Sequence, residues 1–542
     1  MRRSEFIRLT AGMAAAAPVV AAPLLHACGP KSGGAAALVP GEIIGASAAA
    51  GHLLRDHTFN APAEYEAKEA VIIGAGVSGL SAARYLVQHG VRDVVVLDLE
   101  NQPGGNATWG GNAFSKYPWG AHYVPVPNNN LVEYLDFLQD AKVITGYDEA
   151  GLPVYDEFYL CHDPEERLYI NGQWQEGLVP NLGLNTAQLA EFRQFFKLIG
   201  DFKKLKGADG LDAFSIPVDT SSRDESLRAL DRVTMKEWMD SHHLTNEYIR
   251  WYVDYCTRDD FGTPFGQVSA WAGIHYFASR KGRAANAAYS DVLTWENGNG
   301  FLIEALRKHL DGKVMTGALA TSVKPGPAGV EISYLDVASR QLRGFEARHC
   351  IIAAPQFVAA RLLHDTERGK AVTRHFRYVP WMVANLTVGE LSERAGQPGS
   401  WDNVIYGSPS LGYVDATHQQ IQQRKEKRNL TYYLPLTHVA PEAARKEAYQ
   451  ASHEFWSEKV LSDLERVHPD IRRQTERIDI MLWGHAMVQP LPGMIHGDVR
   501  SSLAKSIGEH VHFAHTDLAG VSIFEEGFYQ GLKAARKILQ QT

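Results

Sequence analysis

Residues Glu69 to Glu100, EAVIIGAGVSGLSAARYLVQHGVRDVVVLDLE, leave few folds open to this chain. The apolar run Ala70 to Ile73 has strand character. It passes directly into Gly74-Ala75-Gly76-Val77-Ser78-Gly79, after which Leu80, Ala82, Ala83 and Leu86 recur at helical spacing. A second apolar strand, Val94 to Leu97, ends in Asp98. Together these form a βαβ dinucleotide unit. Gly74 makes the tight turn, Gly76 lets backbone approach a pyrophosphate where Val77 and Ser78 open the helix, and Gly79 permits close helix-to-strand packing. Asp98, nineteen residues after Gly79, is placed to accept hydrogen bonds from an adenosine ribose. A lone GxGxxG is a weak signal, but here strand, helix, second strand and terminal acid all follow in order.

Gln102-Pro103-Gly104-Gly105-Asn106 narrows the nucleotide. Two glycines six and seven residues past the ribose acid resemble the second phosphate-contacting loop of the flavoprotein group that contains amine oxidases, phytoene desaturases and protoporphyrinogen oxidases. That family usually follows the glycines with Arg. Asn106 stands here instead, leaving phosphate contact to backbone amides.

The resemblance runs on down the chain. Trp119-Gly120-Ala121-His122-Tyr123 is similar to the segment whose Gly-Ala brings backbone beside the flavin. Gly298 to Leu302 resembles the turn that returns the chain to the FAD domain, and Ala320-Thr321-Ser322-Val323 the strand whose valine backbone holds adenine. His349 to Pro355 resembles the apolar strand that closes on proline. His512 to Asp517 and Glu525 to Ala535 resemble the C-terminal flavin motif, with His515-Thr516 where Gly-Glu is common and Glu526-Gly527 where Gly-Ala is common. Asp517 is the candidate pyrophosphate or ribityl contact, and Phe524 sits just before the final helix.

The resemblance implies an α/β fold: a Rossmann-like FAD-binding domain (68–125, 291–365 and 496–542) carrying a discontinuous α+β substrate-binding domain (126–290 and 366–495). It also implies a hydride leaving a substrate C–H bond for flavin N5. FAD is expected to be non-covalent, since no Cys lies near the C-terminal motif. In the first insertion Thr186 to Leu205 and Met235 to Cys256 read as helices; in the second, Val383 to Val388 and Asn429 to Leu434 read as strands. Family position makes Trp119, His122, Tyr123 and Trp483 candidates for the substrate side, with His122 and His485 for proton transfer. Many amine oxidases carry a lysine after the segment equivalent to Tyr378-Val379-Pro380; Trp381 to Val388 contains none, so a quinone or cytochrome is as acceptable an electron acceptor as oxygen. Asp259-Asp260 lacks metal-ligand spacing and reads as capping or solvated groups, and no metal is expected.

The N-terminus carries a separate message. Arg2-Arg3, followed by a short apolar run interrupted by Pro18 and Pro23, reads as a removable export signal resembling the twin-arginine type, with a general secretion signal as the alternative. Leu25-His26-Ala27-Cys28 resembles a lipobox, so residues 1–28 are expected to be a signal whose removal leaves a lipid anchor on Cys28 of a periplasmic or membrane-anchored bacterial lipoprotein. Residues 29–67, at first rich in Gly, Ala, Ser and Pro, read as a flexible linker partly ordered near the domain. A net charge of -8 and a pI near 6.3 argue against a nucleic-acid partner. The four cysteines are too widely spaced to demand a disulfide framework. Three readings follow: an amine or polyamine oxidoreductase, a desaturase or oxidase of an apolar polyene or porphyrin-like ring, and a flavin-binding partner protein without turnover.

Overall fold

A computed structural model of the chain describes residues 39–421 and 426–541; the expected signal peptide and Cys28 lie outside the described residues. Two sheets organise the fold. In the first, Val314–Met315, Val94–Leu97, Tyr65–Ile73, Leu342–Ile352 and Val511–Phe513 run parallel, and Leu342–Ile352 also begins an antiparallel meander with Val330–Asp336 and Ala318–Pro325. A parallel sheet is covered on both faces, which is why its strands read as unbroken apolar runs. Alternation along Tyr65–Ile73 divides them: Ala70 and Ile72 pack under the helices, Val71 and Ile73 against the meander.

The helix Val77–Gln88 lies on this sheet and is crossed by the last helix, Phe524–Leu539. They approach so closely that a Cβ at Gly531 would fall 2.2 Å from the Ser78 carbonyl oxygen. Gly74 has φ +105°, and a Cβ there would strike Ala353 O at 2.4 Å; one at Gly79 would strike Gly74 O at 1.8 Å. Both glycines are demanded by geometry.

The second sheet has eight strands, in the order Ile43–Gly45, Thr475–Val488, Tyr378–Val388, Arg428–Pro435, Tyr413–Asp415, Asp402–Ile405, Glu166–Ile170 and Gln173–Glu176. Helices of the first insertion cover it, including Thr186–Lys204, which opens on a capping box between Asn185 and Gln188. The helix expected over Met235 to Cys256 is instead two, Met235–Ser241 and Glu247–Phe261. His243 takes φ +57° and Asn246 caps the second helix, its side chain accepting from Ile249 N, so the chain breaks where local side chains favour a stop and restart. A short antiparallel pair, Tyr123–Pro125 with Val292–Thr294, forms the neck through which the chain leaves the first layer and returns.

Residues 39–67 are not the flexible linker expected of them. From residue 39 the chain is part of the fold: Ile43–Gly45 pairs in parallel with Ile480–Leu482, Ala48–Asp56 is a helix, and Tyr65–Ala67 already belong to the nucleotide sheet. The open edge of Thr475–Val488 supplies backbone partners that an Ala- and Gly-rich sequence gives no sign of seeking. Cys161, Cys256 and Cys350 are buried and unbridged. Among the described residues no helix is long and apolar enough to cross a membrane, and no cluster of His, Cys, Asp or Glu suits a metal ion.

Candidate flavin and substrate site

The nucleotide end is built by the first βαβ unit. Asp98 accepts from Ala75 N at 2.5 Å and from Glu100 N at 2.8 Å, while burial pushes its carboxyl up to about 6 against those two bonds. No side chain caps the helix at Gly76, so its first amides are left to a ligand. Gly104 N donates to Ala75 O at 2.9 Å, which brings the Gly-Gly loop against the first glycine turn. A Cβ at Gly76 would meet only Gly105 Cα, at 3.9 Å, so the cradle between the two loops is open. Farther along, a cavity of about 1010 Å³ borders Thr321, Ser322 and Lys324 of the meander's edge strand. Thr321 Oγ1 and Ser322 Oγ are buried there without a hydrogen-bond partner. The Val323 side chain itself faces the core, so that residue has only backbone to offer a ligand.

The other end is a cavity of about 150 Å³ that gathers Asn106, Gly120, Ala121, His122, Tyr123, Trp483 and Phe524. Asn106 Nδ2 donates to Ala486 O at 2.5 Å and Trp483 Nε1 to Trp119 O at 2.7 Å, so the phosphate loop and the Gly-Ala segment are both fastened to the second sheet. His122 stacks on Tyr433, whose hydroxyl donates to Gly120 O at 2.9 Å. Burial drives the imidazole down to about 4. Tyr433, Trp381 and Arg280 also line the cavity and were not among the expected site residues, and Glu525, the first residue of the stretch read as the C-terminal flavin motif, joins them. Tyr433 had a signal in the alternation of Asn429 to Leu434, which puts Asn429, Thr431 and Tyr433 on one face.

Three expectations are corrected here. His485 does not line the cavity; its ring lies 4.6 Å from Phe357 and 6.0 Å from Tyr378. Asp517 is spent on the protein: it accepts from Gln356 N at 2.8 Å and Tyr378 O–H at 2.6 Å and pairs with His515 Nδ1 at 3.1 Å. Burial disfavours its charge, but His515 and these donors hold the carboxyl below its ordinary range. Asp259 and Asp260 are not the capping or surface groups expected: Asp260 is buried and Asp259 half-buried. Both line the cavity, Asp260 pairs with Arg280 at 2.8 Å, and the Tyr123 hydroxyl lies 3.4 Å from Asp259 Oδ2.

Behind the His122–Tyr433 stack lies a second chamber of about 50 Å³. It shares His122, Tyr123, Asp259 and Tyr433 with the first and adds Glu165, Glu166 and Asp402.

The open glycine cradle and the acid at the end of Val94–Leu97 fit FAD: Gly76, Gly105 and Asp98 would hold its phosphate and ribose, and Gly120-Ala121 would face its ring. A dinucleotide fold that opens on an aromatic cavity under a second sheet defines a flavin-dependent oxidoreductase. The chain belongs to the flavin containing amine oxidoreductase family, which it matches over residues 77–539. Among solved structures the chain is similar to wild-type putrescine oxidase bound to putrescine (15% identity, TM-score 0.63, covering 88% of this chain and all of that one). Cyclohexylamine oxidase from Brevibacterium oxydans IH-35A is similar at 16% identity and TM-score 0.61, covering 88% and 99%. So is a putative protoporphyrinogen oxidase from Exiguobacterium sp. 255-15, at 12% and 0.58, covering 88% and 100%. No curated protein matches the sequence.

Proposed function

We propose that the protein oxidises an amine, of the diamine or polyamine type. The observation that carries this reading is the pairing of aromatic walls with carboxylates: Trp381, Tyr433 and Trp483 line a cavity that also holds Asp259 and Glu525, and the chamber behind it adds Glu165, Glu166 and Asp402. An apolar ring or polyene gains nothing from such acids, whereas an alkylammonium is attracted both to carboxylates and to ring faces. FAD, when bound, supplies the two-electron acceptor. The protein's part is to orient the substrate carbon, exclude water behind the indoles and hold the ammonium. His122, held neutral by burial, adds no positive charge against an incoming cation.

The reading extends to the cell. Arg2-Arg3 and the Leu25 to Cys28 segment support an exported protein tethered by lipid at Cys28, and the lysine-free run Trp381 to Val388 leaves a quinone or cytochrome as acceptable an electron acceptor as oxygen. The test is anaerobic titration of the yellow holoprotein with a panel of monoamines, diamines and polyamines. Bleaching by a diamine or polyamine is the expected result; a flavin spectrum that no amine changes would sink the amine assignment.

A further inference from the structure

Residues 39–64 precede the nucleotide unit, yet they touch both sheets. Ile43–Gly45 lengthens the second sheet beside Ile480–Leu482, Glu42 N donates to Asp479 Oδ1 at 3.2 Å, and Arg477 pairs with Glu42 at 3.1 Å. The chain is pressed so flat there that a Cβ at Gly41 would fall 1.6 Å from Ile478 O. It then crosses to the first sheet. Ser47 donates twice to the Glu100 carboxylate, from its backbone N at 2.8 Å and from Oγ at 2.7 Å. Glu100 in turn donates its own amide to Asp98, the ribose acid. Gly51 abuts Leu99, and Leu54, His57 and Phe59 form one wall of the large cavity, which Thr321, Ser322 and Lys324 of the edge strand also line.

We propose that residues 41–61 are a strap that retains FAD by its adenosine half, with Ser47 and Glu100 as its fastening. The inference rests on FAD being the resident cofactor. A segment that spans both sheets and is fastened at Glu100 and Leu99, beside Asp98, lengthens cofactor residence without touching the reacting ring, because a ligand leaving past it must first break the strap's own bonds. Ser47 and Leu54 are thus cofactor-positioning residues that act through the strap, Ser47 by its bonds to Glu100 and Leu54 by packing on the core of the nucleotide sheet.

The experiment compares full-length wild type with Ser47→Ala and Leu54→Ala, following FAD release and rebinding to the deflavinated protein by flavin fluorescence, and repeating the binding with FMN, which lacks the adenosine half. Loss of one hydrogen bond to a charged partner predicts FAD release about tenfold faster for Ser47→Ala. Leu54→Ala is expected to change release in the same direction, Ser47→Thr to restore the wild-type rate, and FMN to behave alike toward all the proteins. Unchanged FAD release in both variants would overturn the strap, and so would FAD and FMN weakened in equal measure, which would mark a general loosening. Wild type that takes up no FAD would instead overturn the cofactor assignment on which the strap depends.

Discussion

His122 and Tyr433 lie ring on ring, with centroids 4.6 Å apart and planes 28° from parallel, one from the segment after the Gly-Ala turn and the other from the second sheet. Both rings line the cavity and the acidic chamber alike. With its imidazole titrating near 4, His122 is neutral throughout the range where an amine oxidoreductase works. Its expected role is packing. His122→Phe is expected to keep amine turnover within about fivefold of wild type, and the pH profile of kcat/KM to show no limb removed by the substitution between pH 5 and 8. A fall beyond about a hundredfold would give His122 a proton to carry.

The carboxylate of Asp259 borders both cavities, and so it lies where a second ammonium would rest. A hydrogen bond to a charged group contributes about 1.5–3 kcal/mol. Asp259→Asn is therefore expected to raise KM for a diamine by roughly tenfold or more while leaving a monoamine of equal chain length nearly unaffected. Equal losses for both substrates would take the acid out of substrate recognition.

Two glycines of one motif predict opposite failures. A methyl group at Gly79 would sit 1.8 Å from Gly74 O, so Gly79→Ala must push the helix off its strand, and a loss of about 2 kcal/mol or more in stability is expected from such overpacking. At Gly76 the nearest atom is 3.9 Å away and belongs to the opposing glycine. Gly76→Ala is expected to keep the melting temperature of the flavin-free protein and to lose FAD affinity, because the methyl fills the space meant for phosphate. Calorimetry of the apoprotein and flavin retention on dilution separate the two. Melting curves that fall together would deny the open cradle.

The nucleotide unit was legible because each of its residues answers a local demand: a positive φ at Gly74, a contact that admits no Cβ at Gly79, an acid at the end of Val94–Leu97. The cavity was legible only on one side. Gly120 to Tyr123 form one stretch of chain, and Trp483 and Phe524 follow family position, whereas Tyr433 and Arg280 reach the cavity from elements with no such position, and no local pattern states which strands will be neighbours. Asp517 misled because an acid in a turn before a glycine-bearing helix looks the same whether it serves a ligand or, as here, Gln356 N and the Tyr378 hydroxyl. The segment Ile43–Gly45 was illegible for a related reason: its partner is the open edge of a strand more than four hundred residues away.

Glu526, in the first turn of the last helix, gives a prediction about pH. Burial, with Asp219 adding to it, pushes its carboxyl up to about 8 against the bond its Oε1 accepts from Val218 N at 2.6 Å. Unfolded, the group titrates near its ordinary 4.5. Below that value both states hold the proton, and the group costs nothing. As pH rises from 4.5 toward 8 the unfolded chain gives up the proton while the folded chain keeps it, so stability falls by about 1.4 kcal/mol per pH unit from this group alone. Glu526→Gln keeps the acceptor for Val218 N and cannot ionise, so it lacks that slope. Denaturant midpoints of the two proteins should therefore diverge in favour of the glutamine variant between pH 5 and 8, and parallel curves would show that Glu526 is already charged in the fold.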